Sequence, residues 1–464
     1  MKRLLLILSP FFLIFLLSLS TFYINPFEKI TKMSVDIKKY KEAEKEETNI
    51  TSRKLMIYAL DIAKKENFAP AEAARFYAYV ASVYSDVLEE TESSSEATLA
   101  TSEIMNYLVP KYRDQNLTFA RLLLAGEARL SQKGRNILEK YIDRTQTDNF
   151  DLVWDRKTPE GGWYIRNDKI DRGAMAGEWK TWVIRENTEF EVPPPPKKGS
   201  IRDLLELEKV RYATEKIKEE DMQIITFWHG ASGFLKGERP DNITPAGVWQ
   251  NILFVEAAGL SDAEYAKGQK ILAQAIADSF IIAWRVKYDY FTQRPTMRIK
   301  DLNLAVGDPP FPGYVSGHSA ISKTASVVLS RLFPEKSGVW EKNSSDARNS
   351  RLVAGIHFDI DNEIGTQLGK MVGEDVLSKL FGEESGKGEE EKEFRQEHIL
   401  LSTIKLFYLK LQKDSSYGKE RFVFFLRKML SPNPKSKFVE VAGISGITQV
   451  ARGGGGAWGD YDND

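Results

Sequence analysis

Two basic residues seven positions apart open the part of the sequence with the clearest chemical potential. Lys287 and Arg294 are separated by six residues, and Pro295 follows the arginine. Positions i and i+7 of a helix lie on one face, and a proline ends a helix near the residue before it. The spacing therefore predicts two cations on one helix face that ends at Pro295. Such a pair repels unless an anion lies between the side chains, although an exposed basic stripe has the same pattern.

A serine, a glycine and a histidine follow a turn rich in proline and aromatic residues. The segment 311–315 (FPGYV) leads into Ser316, Gly317 and His318. Serine favours the N-cap of a helix, and glycine lets backbone N–H groups come close to a ligand. Free N–H groups at a helix start bind anions, and a histidine in the first turn can exchange protons with the bound group. An ordinary capped helix would begin in the same way.

A third segment combines an arginine, a histidine and an aspartate. Arg351 follows Ser350, and His357 and Asp361 stand four positions apart. At this spacing the carboxylate can reach the imidazole, fix its tautomer and leave the second ring nitrogen free as a nucleophile or a ligand. Gly355 is expected to break the helix between Arg351 and His357. Taken alone, the set is also compatible with an ordinary protein surface.

Together the three segments resemble the type 2 phosphatidic acid phosphatase / vanadium-dependent haloperoxidase superfamily. Its signature is KxxxxxxRP, PSGH and SRxxxxxHxxxD, and the sequence matches every position except that Val315 replaces the proline of PSGH. The resemblance implies an all-α, multi-helix bundle. It also implies a pocket for phosphate or vanadate, whose oxygens would be bound by Lys287, Arg294, Arg351, Ser316 and the Gly317 N–H.

The resemblance implies two alternative reactions in that pocket. In the phosphatases the residue at the position of His357 attacks phosphorus and forms a phosphohistidine, and the residue at the position of His318 protonates the leaving group. There Asp361 would orient His357, and in the haloperoxidases the residue at the position of His318 handles the proton. In the haloperoxidases vanadate is the cofactor, the residue at the position of His357 is bonded to vanadium, and hydrogen peroxide oxidises a halide. A phosphatase would need no cofactor. Both reactions depend on fixed donors for a highly charged oxyanion.

Residues outside the signature favour the soluble, haloperoxidase-like branch. Trp284 and Phe311 stand where chloroperoxidases of this family place aromatic side chains beside the vanadate, so they are predicted to line a halide or substrate pocket. The similarity includes Phe227-Trp228 and the segment 309–312 and covers about residues 50–385. The prediction is an exported haloperoxidase-like enzyme. An acid phosphatase acting on phosphomonoesters and a catalytically silent binding protein are the alternatives.

Two of the four histidines stand outside the signature. His229 follows Phe227-Trp228, near the position where haloperoxidases often place an acidic residue that supports a site arginine. Because a histidine stands there instead, that support is in doubt, and His229 is predicted to be a bystander at a helix end. His398 lies beyond a charged linker and is predicted to be a surface residue.

Helices must position these residues. From 52 to about 143 apolar residues recur at helical spacing, as at Leu55, Ala59 and Ile62. Residues 144–200 are rich in tryptophan, glycine and proline and are predicted to be irregular chain. Few β-branched alternating runs occur, so the prediction is an all-α protein. The later helical patterns begin at about 201 and continue at 246–258, 262–291, 317–333, 346–355 and 362–381.

The N-terminus predicts export. Lys2 and Arg3 precede an apolar run that begins at Leu4 and ends before Asn25-Pro26, which is the pattern of a signal peptide. A run of about 20 apolar residues can also span a bilayer, so a retained hydrophobic helix is the alternative. The predicted location is periplasmic or extracellular. Contact with a membrane is expected only through residues 4–24, and only if they are retained.

Changes in composition along the chain predict its domain organisation. The catalytic helical bundle is expected at 201–386, and the tail after it is expected to be disordered because it is rich in glycine and acidic residues. The predicted divisions are 1–24 (signal peptide or anchor), 25–150 (N-terminal helical region), 151–200 (irregular Trp/Pro-rich crossing), 201–386 (bundle) and 387–464 (charged linker, short helices and Gly/Asp tail).

Composition excludes several classes of function. The 464 residues include no cysteine, which excludes disulfides, thiolate catalysis and cysteine-based zinc sites. The chain has 65 basic and 66 acidic residues, a net charge of −1. The total charge therefore gives no reason to expect nucleic acid as a partner. The expected partners are small molecules: hydrogen peroxide and a halide, or a phosphomonoester.

Overall fold

The computed structural model describes residues 33–34, 37–42, 48–124, 128–155, 157, 159–163, 173–215, 217–229 and 243–382. The predicted N-terminal hydrophobic helix, the charged linker, His398 and the C-terminal tail lie outside these residues. No helix in the described ranges has both the length and the apolar character needed to cross a membrane.

The described part of the chain is α-helical and contains no strand, which confirms the predicted all-α class. Among the described residues, six helices precede the Trp/Pro-rich crossing: α1 Ile37–Glu42, α2 Thr51–Glu66, α3 Pro70–Thr91, α4 Ser94–Leu108, α5 Arg113–Leu123 and α6 Gln132–Thr147. Eight described helices follow it: α7 Ile201–Glu215, α8 Glu219–His229, α9 Thr244–Glu256, α10 Asp262–Tyr290, α11 Pro295–Arg298, α12 Gly317–Leu332, α13 Ser337–Val353 and α14 Asp359–Phe381.

Contacts within the chain divide it into two units. The first comprises Met1–Pro195 and Leu207–Lys387 and contains every predicted site residue. The second comprises Pro196–Glu206 and Gly388–Asp464, and its described part is 196–206. There the Gly199 N–H donates a hydrogen bond of 2.7 Å to the Asp203 carboxylate.

The longest described helix, α10, forms the centre of the first unit. Ser261 and Glu264 make reciprocal side-chain to backbone hydrogen bonds at its N-terminus, and such a capping box fixes where a helix begins. Every residue from Ile271 to Trp284 is buried, because α10 packs against α3, α9, α12 and α14. A helix that is apolar on all sides belongs in a core. The core helix therefore carries Trp284 and Lys287 at its C-terminal end.

A buried carboxylate on α10 holds the irregular crossing. Asp278 is fully buried and accepts the N–H groups of Trp182 at 2.6 Å and of Val183 and Ile184 at 2.9 Å each. Burial raises the pKa of Asp278 to about 6, although the three N–H donors act in the opposite direction. These bonds attach a segment without regular structure to the core helix.

Glycines on one face of α14 let it pack closely against α12. Gly365, Gly369 and Gly373 are spaced four residues apart and therefore share a face. A Cβ atom on Gly365 would lie 2.6 Å from the carbonyl oxygen of Ser316, and one on Gly369 would overlap the carbonyl group of Ala320. The close approach brings the start of α12 next to the start of α14.

We expect Gly369→Ala to destabilise the protein by about 3 kcal/mol, the upper end of what overpacking a rigid core costs, because the new Cβ would meet backbone atoms. Gly268→Ala is the control: in α10, the nearest atom to its Cβ would be the Phe333 ring at 3.8 Å. This control should raise stability by roughly 0.5–1 kcal/mol, since alanine favours helix over glycine. Urea unfolding followed by circular dichroism measures both, and equal stabilities would contradict the packing described.

Candidate anion-binding site

Lys287 is the first of the three basic residues of the signature, all of which are fully buried. Its side chain lies in the last turn of α10, and Nζ donates to the carbonyl oxygens of Pro312 at 3.0 Å and Gly313 at 2.9 Å. Nζ also lies 5.5 Å from the centroid of the Trp284 ring and 5.4 Å from that of Phe311. The ammonium group is thus fixed between backbone oxygens and two aromatic rings.

Arg294 does not share a helix face with Lys287, so that prediction is wrong. Helix α10 ends at Tyr290, where Phe291 takes a left-handed conformation (φ 51°) and its N–H bonds the Lys287 carbonyl oxygen. Arg294 is extended (φ −83°, ψ 162°) because the proline after it disfavours the helical conformation. The two cations meet because the chain turns back after the helix.

The guanidinium of Arg294 joins two segments of the site. Nε donates to the Phe311 carbonyl oxygen at 2.8 Å, and one terminal nitrogen donates to the Ile356 carbonyl oxygen at 2.7 Å. The same nitrogen lies 3.3 Å from Nε2 of His357. Because a guanidinium only donates, His357 must present a lone pair at Nε2.

Arg351 occupies the end of α13 and is tied to α8. Its Nε donates to Ser350 Oγ at 2.9 Å, and its two terminal nitrogens reach the Ile225 carbonyl oxygen at 3.0 Å and Nδ1 of His229 at 3.2 Å. The prediction that His229 is a bystander is therefore wrong, although it does stand at a helix end. Gly355 has a positive φ of 78° just after α13, which confirms the predicted break before His357.

Nearby carboxylates offset only part of the charge of the three cations. Burial and the charge of Arg294 hold the pKa of Lys287 well below its usual range. Burial lowers the pKa of Arg294 to about 10 and that of Arg351 to about 9. The carboxylates act in the opposite direction: Asp308 and Asp361 raise the pKa of Arg294, and Asp361 also raises that of Lys287. Buried charges are normally paired, so the cluster fits a multiply charged anion.

The start of α12 faces the same cluster. Ser316 is the N-cap, as predicted, and its Oγ accepts the Ser319 N–H at 3.4 Å. The first N–H groups of a helix have no partner inside the helix and attract anions. A Cβ on Gly317 would lie 3.0 Å from the Trp284 ring. Because glycine has no Cβ, the start of α12 can lie close to this ring. Val315, where the signature has proline, is fully buried.

Both ring nitrogens of His357 have a partner: Nδ1 contacts Asp361, and Nε2 faces Arg294. Nδ1 donates to Oδ2 of Asp361 at 3.0 Å, and that oxygen also accepts the Phe358 N–H at 3.1 Å. The contact predicted from the four-residue spacing is present, although His357 precedes α14 rather than belonging to it. Burial and the neighbouring cations hold the pKa of His357 well below its usual range. The ring is therefore neutral, with its lone pair at Nε2.

His318 lies in the first turn of α12, as predicted. Its Nε2 lies 2.7 Å from the Trp228 carbonyl oxygen, and because a carbonyl only accepts, Nε2 must carry the proton. Burial and the charge of Arg351 hold the pKa of His318 well below its usual range. Nδ1 is left as the nitrogen that can take up a proton.

A cavity lies beside these groups and is lined by some of them. It is lined by Gly317, three histidines and a set of apolar side chains; the lining residues are Pro70, His229, Phe280, Trp284, Pro309, Phe311, Gly317, His318, Ile356 and His357. The Trp284 and Phe311 rings lie 5.1 Å apart by their centroids. Pro70 and Phe280 belong to α3 and α10 and were not predicted, because no local pattern sets them apart from other core residues.

The donor set suits a tetrahedral oxyanion of the vanadate or phosphate kind. Three cations, the N-cap hydroxyl of Ser316 and the N–H groups at the start of α12 all donate, and Nε2 of His357 offers a lone pair. Charge-assisted hydrogen bonds of this kind are the strong ones. These donors and this lone pair match the charge and the chemistry of such an anion.

We expect inorganic phosphate to stabilise the protein increasingly as the pH falls from 7 to 5. The folded-state pKa values of His318 and His357 are lowered, and that of His229 is lowered to about 3. The unfolded state then binds more protons below about pH 6.5, so the anion-free protein loses stability as the pH falls. A bound anion reduces the repulsion between the cations and the protonated histidines, so it binds more tightly as the pH falls. At 100 times its Kd it adds about 2.7 kcal/mol to the free energy of unfolding.

Thermal unfolding at each pH measures this effect. Sodium nitrate at equal ionic strength is the control, because it supplies negative charge without a tetrahedral geometry. Equal melting temperatures in phosphate and nitrate would contradict the site.

Comparison with solved structures identifies the fold. A bacterial vanadium-dependent iodoperoxidase is 20% identical with a TM-score of 0.61, and the match covers 72% of this chain and 98% of that one. The holo form of a bacterial vanadium-dependent chloroperoxidase is 12% identical (TM-score 0.52; 68% and 93% covered), and the apo form of a bacterial vanadium-dependent chloroperoxidase is 11% identical (0.51; 68% and 96%). No protein-family profile and no curated protein matches the sequence.

Proposed function

We propose that this protein, which has the fold of the bacterial vanadium haloperoxidases, binds vanadate in the cavity and oxidises a halide with hydrogen peroxide. The observation that carries the proposal is one cavity with two walls. One wall contains His229, Gly317 and His357, and these residues contact three buried cations whose charge nearby carboxylates offset only in part. The other wall is formed by Trp284 and Phe311.

The oxyanion would be held by residues that the fold already fixes. Lys287, Arg294 and Arg351 would each bind an oxygen, and Ser316 and the Gly317 N–H would add neutral donors. His357 would ligate vanadium through Nε2, because Asp361 holds the proton on Nδ1. Arg294 would then direct to the anion the N–H that faces Nε2 in the anion-free protein. When bound, vanadate would supply the Lewis-acid chemistry that activates peroxide.

His318 would act as a base towards the incoming peroxide. Its Nε2–H is held by the Trp228 carbonyl, so a proton can be taken up only at Nδ1. Since its pKa is lowered, His318 is neutral and able to accept at ordinary pH. The negative charge of a bound oxyanion would favour the protonated ring and so assist the transfer.

Trp284 and Phe311 would form the halide side of the cavity. Both rings lie within 5.5 Å of Lys287 Nζ by their centroids. The Trp284 indole N–H has no hydrogen-bond partner among the residues that the structure describes. An apolar wall beside a cation would strip a halide of water and strengthen its attraction to the cation.

An acid phosphatase is the second candidate, favoured by the contact between His357 and Asp361. This contact would also suit attack of His357 Nε2 on phosphorus, followed by protonation of the leaving oxygen by His318. That step needs a protonated His318, whereas burial keeps the ring neutral in the anion-free protein. Because a bound oxyanion would favour the protonated ring in either reaction, the protonation of His318 does not separate them. The haloperoxidase is the first choice because of the fold and because Trp284 and Phe311 line the cavity.

We further propose that the enzyme is exported, because the basic residues and apolar run at 2–24 form an export signal. Its partners would be small molecules, peroxide and halide, and not nucleic acid. Any contact with a membrane would be made through residues 4–24, if they are retained.

The test compares both reactions in one preparation. The purified protein is loaded with orthovanadate and assayed with peroxide and iodide, bromide or chloride; the vanadate-free protein is assayed with a generic phosphomonoester. We expect vanadate-dependent halide oxidation that inorganic phosphate suppresses by competition. Rapid phosphomonoester hydrolysis that vanadate inhibits, with no halide oxidation, would establish the phosphatase instead.

A further inference from the structure

His229 is a buried histidine at the C-terminal end of α8, and only 1% of its surface is exposed. It was not part of the predicted site. Its ring contacts the guanidinium of Arg351 and lines the cavity together with His318 and His357. A polar ring in this position must do more than fill space, because burying it is costly unless its nitrogens are used.

The contact with Arg351 decides which nitrogen carries the proton. A guanidinium has only donors and stays protonated in proteins, so Nδ1 of His229, 3.2 Å away, must accept. A protonated ring would place two cations against each other, and burial together with Arg351 lowers the pKa of His229 to about 3. The ring is therefore neutral with its proton on Nε2.

That Nε2–H has no hydrogen-bond partner among the described residues. Buried donors are nearly always paired, and each exception needs an explanation. Here the unpaired donor belongs to a ring that lines a cavity suited to an oxyanion. An oxygen of the bound anion would supply the missing acceptor.

We propose that His229 is an additional residue of the oxyanion site: its Nδ1 holds Arg351 in place and its Nε2–H donates a hydrogen bond to the bound anion. A carboxylate at this position would also hold Arg351, but it would cancel the positive charge that attracts the anion. A neutral imidazole orients the guanidinium and leaves that charge intact. The inference rests on the proposed function only in requiring that the cavity binds an oxyanion, vanadate or phosphate.

Calorimetric titration of His229→Asn with orthovanadate and inorganic phosphate tests the donor. The asparagine oxygen can still accept from Arg351, but the shorter side chain cannot place a donor where Nε2 stands. We expect its Kd for each anion to be at least about 10-fold weaker, the value of one hydrogen bond to a charged group. His229→Gln, whose longer amide reaches further towards Nε2, should recover part of the loss.

Nuclear magnetic resonance of native protein labelled with ¹⁵N-histidine gives a readout that needs no variant. The chain has four histidines, so the spectrum is simple. We expect His229 to show the Nε2–H tautomer and its Nε2 signal to shift when inorganic phosphate binds. An unchanged Nε2 signal in the phosphate-bound protein would overturn the proposal.

The outcomes separate this proposal from the proposed function. Native protein that binds neither anion would overturn both. Native protein and His229→Asn that bind both anions equally well would overturn only the role of His229, which would then be packing or support of Arg351 alone.

Discussion

The His357→Ala variant is expected to lose halide oxidation by on the order of 10³-fold or more while it keeps its fold. Nε2 of His357 offers a lone pair to the cavity, and no backbone group can replace it. The variant also removes an imidazole that burial keeps neutral, so the protein should stay folded. Turnover of the vanadate-loaded variant, with its melting temperature as a check on folding, measures the effect.

A graded control is Asp361→Asn. This change keeps the shape of the side chain but removes the negative charge that faces Nδ1 of His357, so a loss of about 10–100-fold is expected, as for other partners of a metal-bound histidine. Full activity of His357→Ala would show that the ring is not the ligand. A loss in Asp361→Asn larger than in His357→Ala would mean that the carboxylate has a role of its own.

The sequence could predict the local contacts of the site. The N-cap role of Ser316, the break at Gly355 and the contact between His357 and Asp361 each depend on residues at most four positions apart. Local preferences of serine and glycine, and the reach of a side chain, decide such features. The helical periodicity likewise predicted the all-α class, since an apolar face reflects the packing of each helix.

The features that the sequence did not predict depend on packing between distant parts of the chain or on a conformation without a local signal. Helix α10 ends at Tyr290, four residues before Arg294, because a left-handed Phe291 closes it, and phenylalanine carries no local signal for that conformation. His229 and Arg351 are 122 positions apart, so only the packing of α8 against α13 brings them together. Asp278 has no sequence feature that distinguishes it from other acidic residues on a helix, because its partner Trp182 is 96 positions away.

The packing of α10, α12 and α14 in the core holds the residues of the site in place. Lys287 and Trp284 lie on the core helix α10, and the glycines of α14 allow α14 to pack closely against the start of α12. The Ser316 N–H donates to the Asp361 carbonyl oxygen at 2.8 Å, so the starts of α12 and α14 are joined directly. A rigid frame of this kind keeps mutually repelling cations close together before an anion arrives.

The Arg294→Lys variant is expected to lose anion affinity by about 100-fold, although the net charge does not change. The guanidinium bonds the Phe311 and Ile356 carbonyl oxygens at the same time and also reaches His357. A lysine ammonium is a compact point charge that cannot reach all of these groups at once. The carbonyl oxygen of Phe311 or of Ile356 would therefore lose its donor, and the two chain segments that Arg294 joins would shift. Titration with orthovanadate and inorganic phosphate measures the affinity.

Arg211→Lys is the matched control, because Arg211 is a half-buried arginine on α7 whose guanidinium pairs with Glu208 one turn away. Exposed or half-exposed pairs of this kind contribute little, so the control should bind both anions within about 3-fold of the native protein. If Arg294→Lys bound the anions as tightly as the control, charge alone would hold them. The arginine fork would then serve only to tie the two carbonyl groups together. A loss confined to Arg294→Lys would instead mean that the bridging geometry places the charge where the anion needs it.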